Sequence, residues 1–289
     1  MDVRWWETMA AGIYKLLNVL NILYKKMNFT RKSILITGCN KGIGYTLVEG
    51  LIKQNLNMNI IFTARNDKLG TSSLNKIISK YPHSKECLFY HQLDITNKQS
   101  INSIINWIKT KFNKIDILFN NAGIYQSPRN DVITTNVFGT FTLTQMFLEN
   151  DIINDNGKII SVGSGLGSFS AAGNHVSEFR SAKTVNDLIN LAYRYLNENW
   201  SGEAYSISKL LIHLFAKVLG QDQNIRNKNI SVFAMDPGWC KTDMGGYGAP
   251  HPPEHGANIG LFLIKLPDGI NPKLQGQYFN SPSPQPASY

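Results

Sequence analysis

From residue 33 onward, short β-branched runs alternate with helix-patterned stretches, and this alternation constrains the fold more than any other feature. Residues 33–37 (SILIT) form an apolar run that stops at Gly38, as a buried parallel strand does. A helical pattern follows over 42–55. Residues 59–63 (NIIFT) are the next strand, and Asp67 opens another helix. Residues 88–93 are strand-like and stop at Asp94. Residues 97–112 are helical, with Ile101, Ile104, Ile105 and Ile108 on one face. Two more strands, 115–119 and 158–162, flank a helix around 137–148. Residues 230–235 supply another strand, and 278–279 close the sheet edge. Such alternation predicts α/β architecture: one doubly wound parallel sheet with helices on both faces.

A chain of 289 residues suits one such domain, here 30–280, with an extension at 1–29 and a loose Pro-rich tail at 281–289. Cys39, Cys87 and Cys240 form neither a disulfide framework nor a zinc-site spacing, so a reducing, cytoplasmic compartment is expected. His175, His213, His251 and His255 also lack metal-ligand spacing, and no metal is assigned. His213 is expected to pack on the helix carrying Lys209. The net charge is +9, but it forms no basic run, and residues 1–32 supply +4 of it. That distribution disfavours nucleic-acid binding and leaves a mild preference for anionic ligands. Residues 9–24 place Ile13, Leu16, Leu17, Leu20 and Leu23 at helical spacing. The segment is too short and interrupted for a membrane span. Three readings stay open: an amphipathic helix in weak contact with a membrane interface, a helix docked on the domain, or a loose extension.

The turn at 37–44 (TGCNKGIG) joins the first strand to the first helix. Gly38 permits a tight turn, while Gly42 and Gly44 admit close backbone approach. Asn40, Lys41 and Ile43 complete a cradle in which helix N–H groups meet a pyrophosphate. This is the Rossmann-type arrangement, and its place between strand and helix gives the glycines their meaning. The second strand ends Thr63-Ala64-Arg65. An acidic residue there would bind a ribose 2′-hydroxyl; the Arg65 fork suits a 2′-phosphate, hence NADPH, with Lys41 as a second cation. Its alternative is a plain surface arginine. Asp94 is placed to accept from an adenine amino group or to cap a helix at Ile95.

Tyr205 and Lys209 stand at i,i+4 spacing, one helical turn apart. Asn121, Ala122 and Gly123 follow the fourth strand within NNAG, Ser164 follows the fifth, and Pro237-Gly238 follow the sixth. Ligands of open α/β sheets bind at such strand ends. Together these residues resemble the short-chain dehydrogenase/reductase family over roughly 33–279. TAR (63–65), HQLDI (91–95), TTNVFG (134–139) and DPGWCKTDM (236–244) are similar to its carbonyl reductase/menthone reductase branch. The resemblance implies an NADPH-dependent reductase of a small-molecule ketone, aldehyde or quinone. It also implies roles. Tyr205 protonates the carbonyl oxygen, Lys209 lowers the tyrosine pKa and holds ribose hydroxyls, and Ser164 hydrogen-bonds the carbonyl oxygen. Asn136 holds a water chain, Asn121 and Gly123 border the adenosine side, and Thr242 contacts the carboxamide. Gly163 departs from the pattern, since many relatives have a second Ser there. The spacer 165–204 is read as a helical insertion, with an amphipathic helix at 184–196, and it implies a monomer because it covers the surface through which many relatives pair. Trp239 and Tyr247 are expected to line the substrate pocket, with a plain loop aromatic as the alternative for Tyr247. Competing functions are an NAD-dependent alcohol or steroid dehydrogenase and a non-catalytic nucleotide-binding scaffold.

Overall fold

The computed structural model describes residues 9, 12–16, 31–198, 200–283 and 285–288. Seven strands are present: β1 (Lys32–Ile36), β2 (Met58–Ala64), β3 (Leu88–Gln92), β4 (Ile115–Asn120), β5 (Ile153–Val162), β6 (Ser231–Met235) and β7 (Gln277–Phe279). They pair in parallel in the order β3-β2-β1-β4-β5-β6-β7. The order reverses direction between β1 and β4, which opens a crevice at their carboxyl ends.

The helices follow in chain order. They are α1 (Gly42–Lys53), α2 (Asp67–Lys80), α3 (Lys98–Lys111), α4 (Arg129–Ile133), α5 (Thr140–Glu149), α6 (Val176–Ser181), α7 (Val185–Asn197), α8 (Ala204–Gln221), α9 (Gln223–Asn227) and α10 (Pro253–Lys265). Successive strand side chains point to opposite faces, so each strand feeds two cores. Leu35, Leu118 and Ile159 join α3, α5, α7 and α8 on one face. Ile34, Ile36, Phe119 and Ile160 join α1 and α10 on the other.

Three expectations need correction. β5 begins at Ile153, not 158, because its polar first half, Asn154-Asp155-Asn156, hides the strand from an apolar pattern. The helix expected around 137–148 starts at Arg129 and contains a π-helical stretch, Thr134–Gly139. Asp94 caps no helix. Asn97 is the N-cap of α3, accepting from Ser100 N, while Asp94 Oδ1 closes a turn by accepting from Thr96 N at 2.9 Å and Thr96 Oγ1 at 2.7 Å. Residues 12–16 of the N-terminal apolar segment are helical and exposed; the rest of it, residue 9 apart, lies outside the described residues. Among the described residues no helix is long and apolar enough to cross a membrane.

Candidate active site

The glycine-rich turn is tied to the end of β4. Thr37 Oγ1 accepts from the N–H groups of Asn121 and Ala122 at 2.9 and 2.8 Å. The Asn121 side-chain amide donates to Thr37 O at 2.7 Å and Gly38 O at 3.1 Å. On the other side, Asn40 O accepts from Ser73 Oγ of α2. Gly42 has φ +61°, a conformation that side chains disfavour. A Cβ at Gly44 would lie 2.5 Å from Asn121 Nδ2, so only glycine lets α1 approach β4. Lys41 precedes α1 and offers no side-chain cap, which leaves the first-turn N–H groups for a ligand. Ile43 packs on the start of α10, its Cδ1 lying 2.9 Å from a Cβ built at Gly256.

Arg65 is exposed at the end of β2, and its carbonyl accepts from Gln92 Nε2; among the described residues its guanidinium has no hydrogen-bond or ion-pair partner. Lys41 is committed elsewhere: its ammonium pairs with Asp243 at 2.8 Å. That pair joins the turn to the loop after β6. The same loop carries Pro237, Gly238 and Thr242. Gly238 N donates to Asp236 Oδ1 at 2.9 Å. Thr242 Cγ2 lies 3.5 Å from a Cβ built at Gly42. Phosphate-facing backbone, a free guanidinium at the ribose position and a polar loop across the opening are a donor set that fits a dinucleotide phosphate.

Ser164, Tyr205, Lys209 and Asn136 converge at the strand ends. Tyr205 and Lys209 lie on α8. Ser164 lies beside the Tyr205 phenol, where α8 meets the segment after β5. Lys209 is buried, and its ammonium donates to Val162 O at 2.7 Å. Asn136 lies in the π-helical stretch, where the widened turn turns its amide inward. Its Oδ1 accepts from Ile124 N at 2.8 Å, and its Nδ2 donates to Ile124 O and Ser208 Oγ, both at 3.0 Å. Gly123 brings the two together: a Cβ there would lie 3.2 Å from Asn136 Oδ1 and 3.6 Å from Lys209 Nζ.

The electrostatics differ from expectation at Tyr205. Burial pushes its phenol up to about 12, opposed by Ser164 beside it. The lysine does not reverse this, because its ammonium lies 5.4 Å from the ring centroid and bonds a carbonyl instead. Burial also pulls Lys209 down to about 8, against the pull of Asp236.

Tyr247 corrects a sequence expectation. It is fully exposed among glycines 245, 246 and 248, as the loop-aromatic alternative has it. Trp239 is 60% exposed, and its indole N–H donates to Gly245 O, which pins the loop. Two neighbours of the phenol were missed. Met244 Sδ lies 3.9 Å from Tyr205 Oη, and the Tyr125 ring meets Tyr205 edge-on at 4.8 Å between centroids. Met244 lies within the DPGWCKTDM stretch, which was the available signal. Tyr125 lies two residues past NNAG and carried none.

The chain belongs to the short-chain dehydrogenase family of oxidoreductases, whose family model matches residues 32–189, more than half of it. It is similar to NADPH carbonyl reductase 1 of Mus musculus, 29% identical over 90% of this chain and all of the relative. Among solved structures, salutaridine reductase of Papaver somniferum superposes with a TM-score of 0.74 at 23% identity, covering 86% of this chain and 99% of that one. An NADPH-bound carbonyl reductase from chicken fatty liver gives a TM-score of 0.67 at 24% identity, covering 90% and 99%. The two structural likenesses concern the fold.

Proposed function

We propose that this chain reduces a ketone, aldehyde or quinone to the corresponding alcohol with NADPH, Tyr205 giving the proton. The observation that carries the reading is the junction of Ser164, Tyr205 and Lys209 beside a phosphate-binding turn with a free Arg65. NADPH, when bound, supplies the hydride. The chain supplies the rest. The N–H groups opening α1 and the Arg65 guanidinium hold phosphates. Ser164 Oγ donates to the substrate oxygen and stabilises the charge gathering there, a contribution of about 2–4 kcal/mol in comparable sites. Tyr205 Oη delivers its proton to that oxygen. A phenol held up near 12 keeps this proton at neutral pH, which is the state reduction starts from. Lys209, still cationic below about 8, stabilises the phenolate left behind. Asn136, locked at both ends of its amide beside Lys209, borders the route by which a proton returns.

The relatives' names point the same way, since the mouse protein is an NADPH carbonyl reductase. A panel of quinones, aldehydes and ketones assayed with NADPH and NADH tests the reading. Turnover with NADPH is expected, and Tyr205→Phe should bind NADPH normally while losing at least about 100-fold in kcat. NADH preference, or a Tyr205→Phe enzyme as fast as wild type, would overturn it.

A further inference from the structure

Ser164 is carried by an irregular strap, residues 163–167, that leaves the end of β5. His213, one turn after Lys209 on α8, spans that strap. Its Nδ1 lies 2.9 Å from Gly167 O, and Ser164 N–H donates to its Nε2 at 3.3 Å. A carbonyl oxygen only accepts, so Nδ1 carries the hydrogen and Nε2 presents a lone pair. The ring is therefore neutral, and its burial agrees, holding it down at about 3. Tyr278 of β7 packs against it at 4.2 Å between centroids.

The ring can sit there only because residue 163 has no side chain. A Cβ at Gly163 would lie 2.1 Å from His213 Nε2 and 2.5 Å from Cδ2. Gly163 does not have a left-handed φ, so its backbone does not demand glycine; the space does. The two residues are one device. The space that a side chain at 163 would take is filled from α8.

We infer that His213 is a positioning residue for Ser164: it grips the strap at both ends, through Ser164 N–H and Gly167 O, and so fixes where the Ser164 hydroxyl points. This rests on the reading of Ser164 as donor to the substrate oxygen. His213 acts through the backbone that carries Ser164.

A double-mutant cycle tests this on the full chain, with a quinone substrate, NADPH binding by fluorescence quenching and thermal melts as readouts. His213→Leu keeps the bulk and removes both hydrogen bonds. It is expected to lose roughly 10- to 100-fold in kcat, the scale of a misplaced donor, with NADPH affinity within about twofold. Ser164→Ala, which removes the donor, should lose at least as much, and the double variant no more than Ser164→Ala alone. His213→Gln, which can donate and accept across the same gap, should regain most of the rate. Gly163→Ala, which evicts the ring without touching it, should resemble His213→Leu, and it carries the test if His213→Leu does not fold. If Ser164→Ala loses activity while folded His213→Leu or Gly163→Ala keeps it, the inference falls and the function stands. Losses that multiply in the double variant also overturn it. If Ser164→Ala keeps full activity, the donor reading itself fails.

Discussion

Tyr205 and Lys209 sit one turn apart on α8, and burial moves their proton affinities in opposite directions. The phenol is held up near 12 and the ammonium down near 8, since each environment penalises the charged form. At neutral pH the tyrosine therefore keeps its proton and the lysine most of its charge. The consequence is a pH profile with a defined sign. The kcat/KM for reduction should be level below about 8 and fall as pH rises through it, when Lys209 loses the proton that supports the phenolate. Stopped-flow or steady-state profiles should show this limb in wild type and its loss in Lys209→Met; a limb that persists in Lys209→Met would assign it elsewhere. Arg65 makes a second residue-scale prediction. The residue is exposed, and among the described residues its guanidinium has no hydrogen-bond or ion-pair partner. Charge-assisted hydrogen bonds are worth about 1.5–3 kcal/mol, so Arg65→Glu should raise KM for NADPH roughly 10- to 100-fold. It should leave kcat within a few-fold, because Arg65 is remote from the phenol. Unchanged KM for NADPH would reduce Arg65 to a surface charge.

Elements rather than residues decide how much of this was readable beforehand. The central strands were legible because strands covered on both faces must be continuously apolar. The first half of β5 was not, since after Ile153 pairs with Ile115 the register shifts past the polar residues 154–156. The π-helical stretch at Thr134–Gly139 was invisible for a different reason. Its six residues, TTNVFG, are weak helix formers that do not tell a π turn from an α turn, and the widened turn is fixed by Asn136 binding both Ile124 and Ser208 across the site. Tyr205, Lys209 and Ser164 were legible from spacing and strand ends. Met244, Tyr125 and the grip of His213 were not, because loop paths and through-space contacts leave no local period. α7 was legible from its amphipathic pattern, but its cap was not, since the 184–196 reading counted Thr184 inside the helix. Thr184 Oγ1 accepts from Asp187 N at 3.1 Å, and Asp187 Oδ2 accepts from Thr184 N at 2.9 Å. The backbone N–H groups of Lys183 and Thr184, donating to Asp187 Oδ2, hold the Asp187 carboxyl below its usual range. Thr184→Ala should cost about 1 kcal/mol, seen as about 2–4 °C in the melt, with kcat unchanged. A matching loss of activity would mean that α7 shapes the site as well as covering it.

At the scale of the whole molecule, α7 decides what else the protein touches. It packs on α8, the helix that carries Tyr205 and Lys209, and buries Leu188, Leu191, Ala192 and Tyr195. Arg129 of α4 fastens it: the guanidinium donates to Tyr195 O at 3.4 Å and Trp200 O at 3.3 Å and lies 4.5 Å from the Tyr195 ring centre. Tyr193 adds a tilted contact with Phe138 at 4.7 Å between centroids. The chain's own spacer thus covers one side of α4 and α8. A partner using α4 and α8 would have to displace four buried side chains and the Arg129 clasp, at a cost of several kcal/mol. The protein should therefore run as a monomer. Light scattering at micromolar concentration should give a mass near the 32.4 kDa of a single chain. A stable dimer or tetramer would place the contact on another surface, with α7 still in place, or show that α7 lifts away. Hydrogen exchange over 185–197 separates the two, since only the second exposes the amides of that helix.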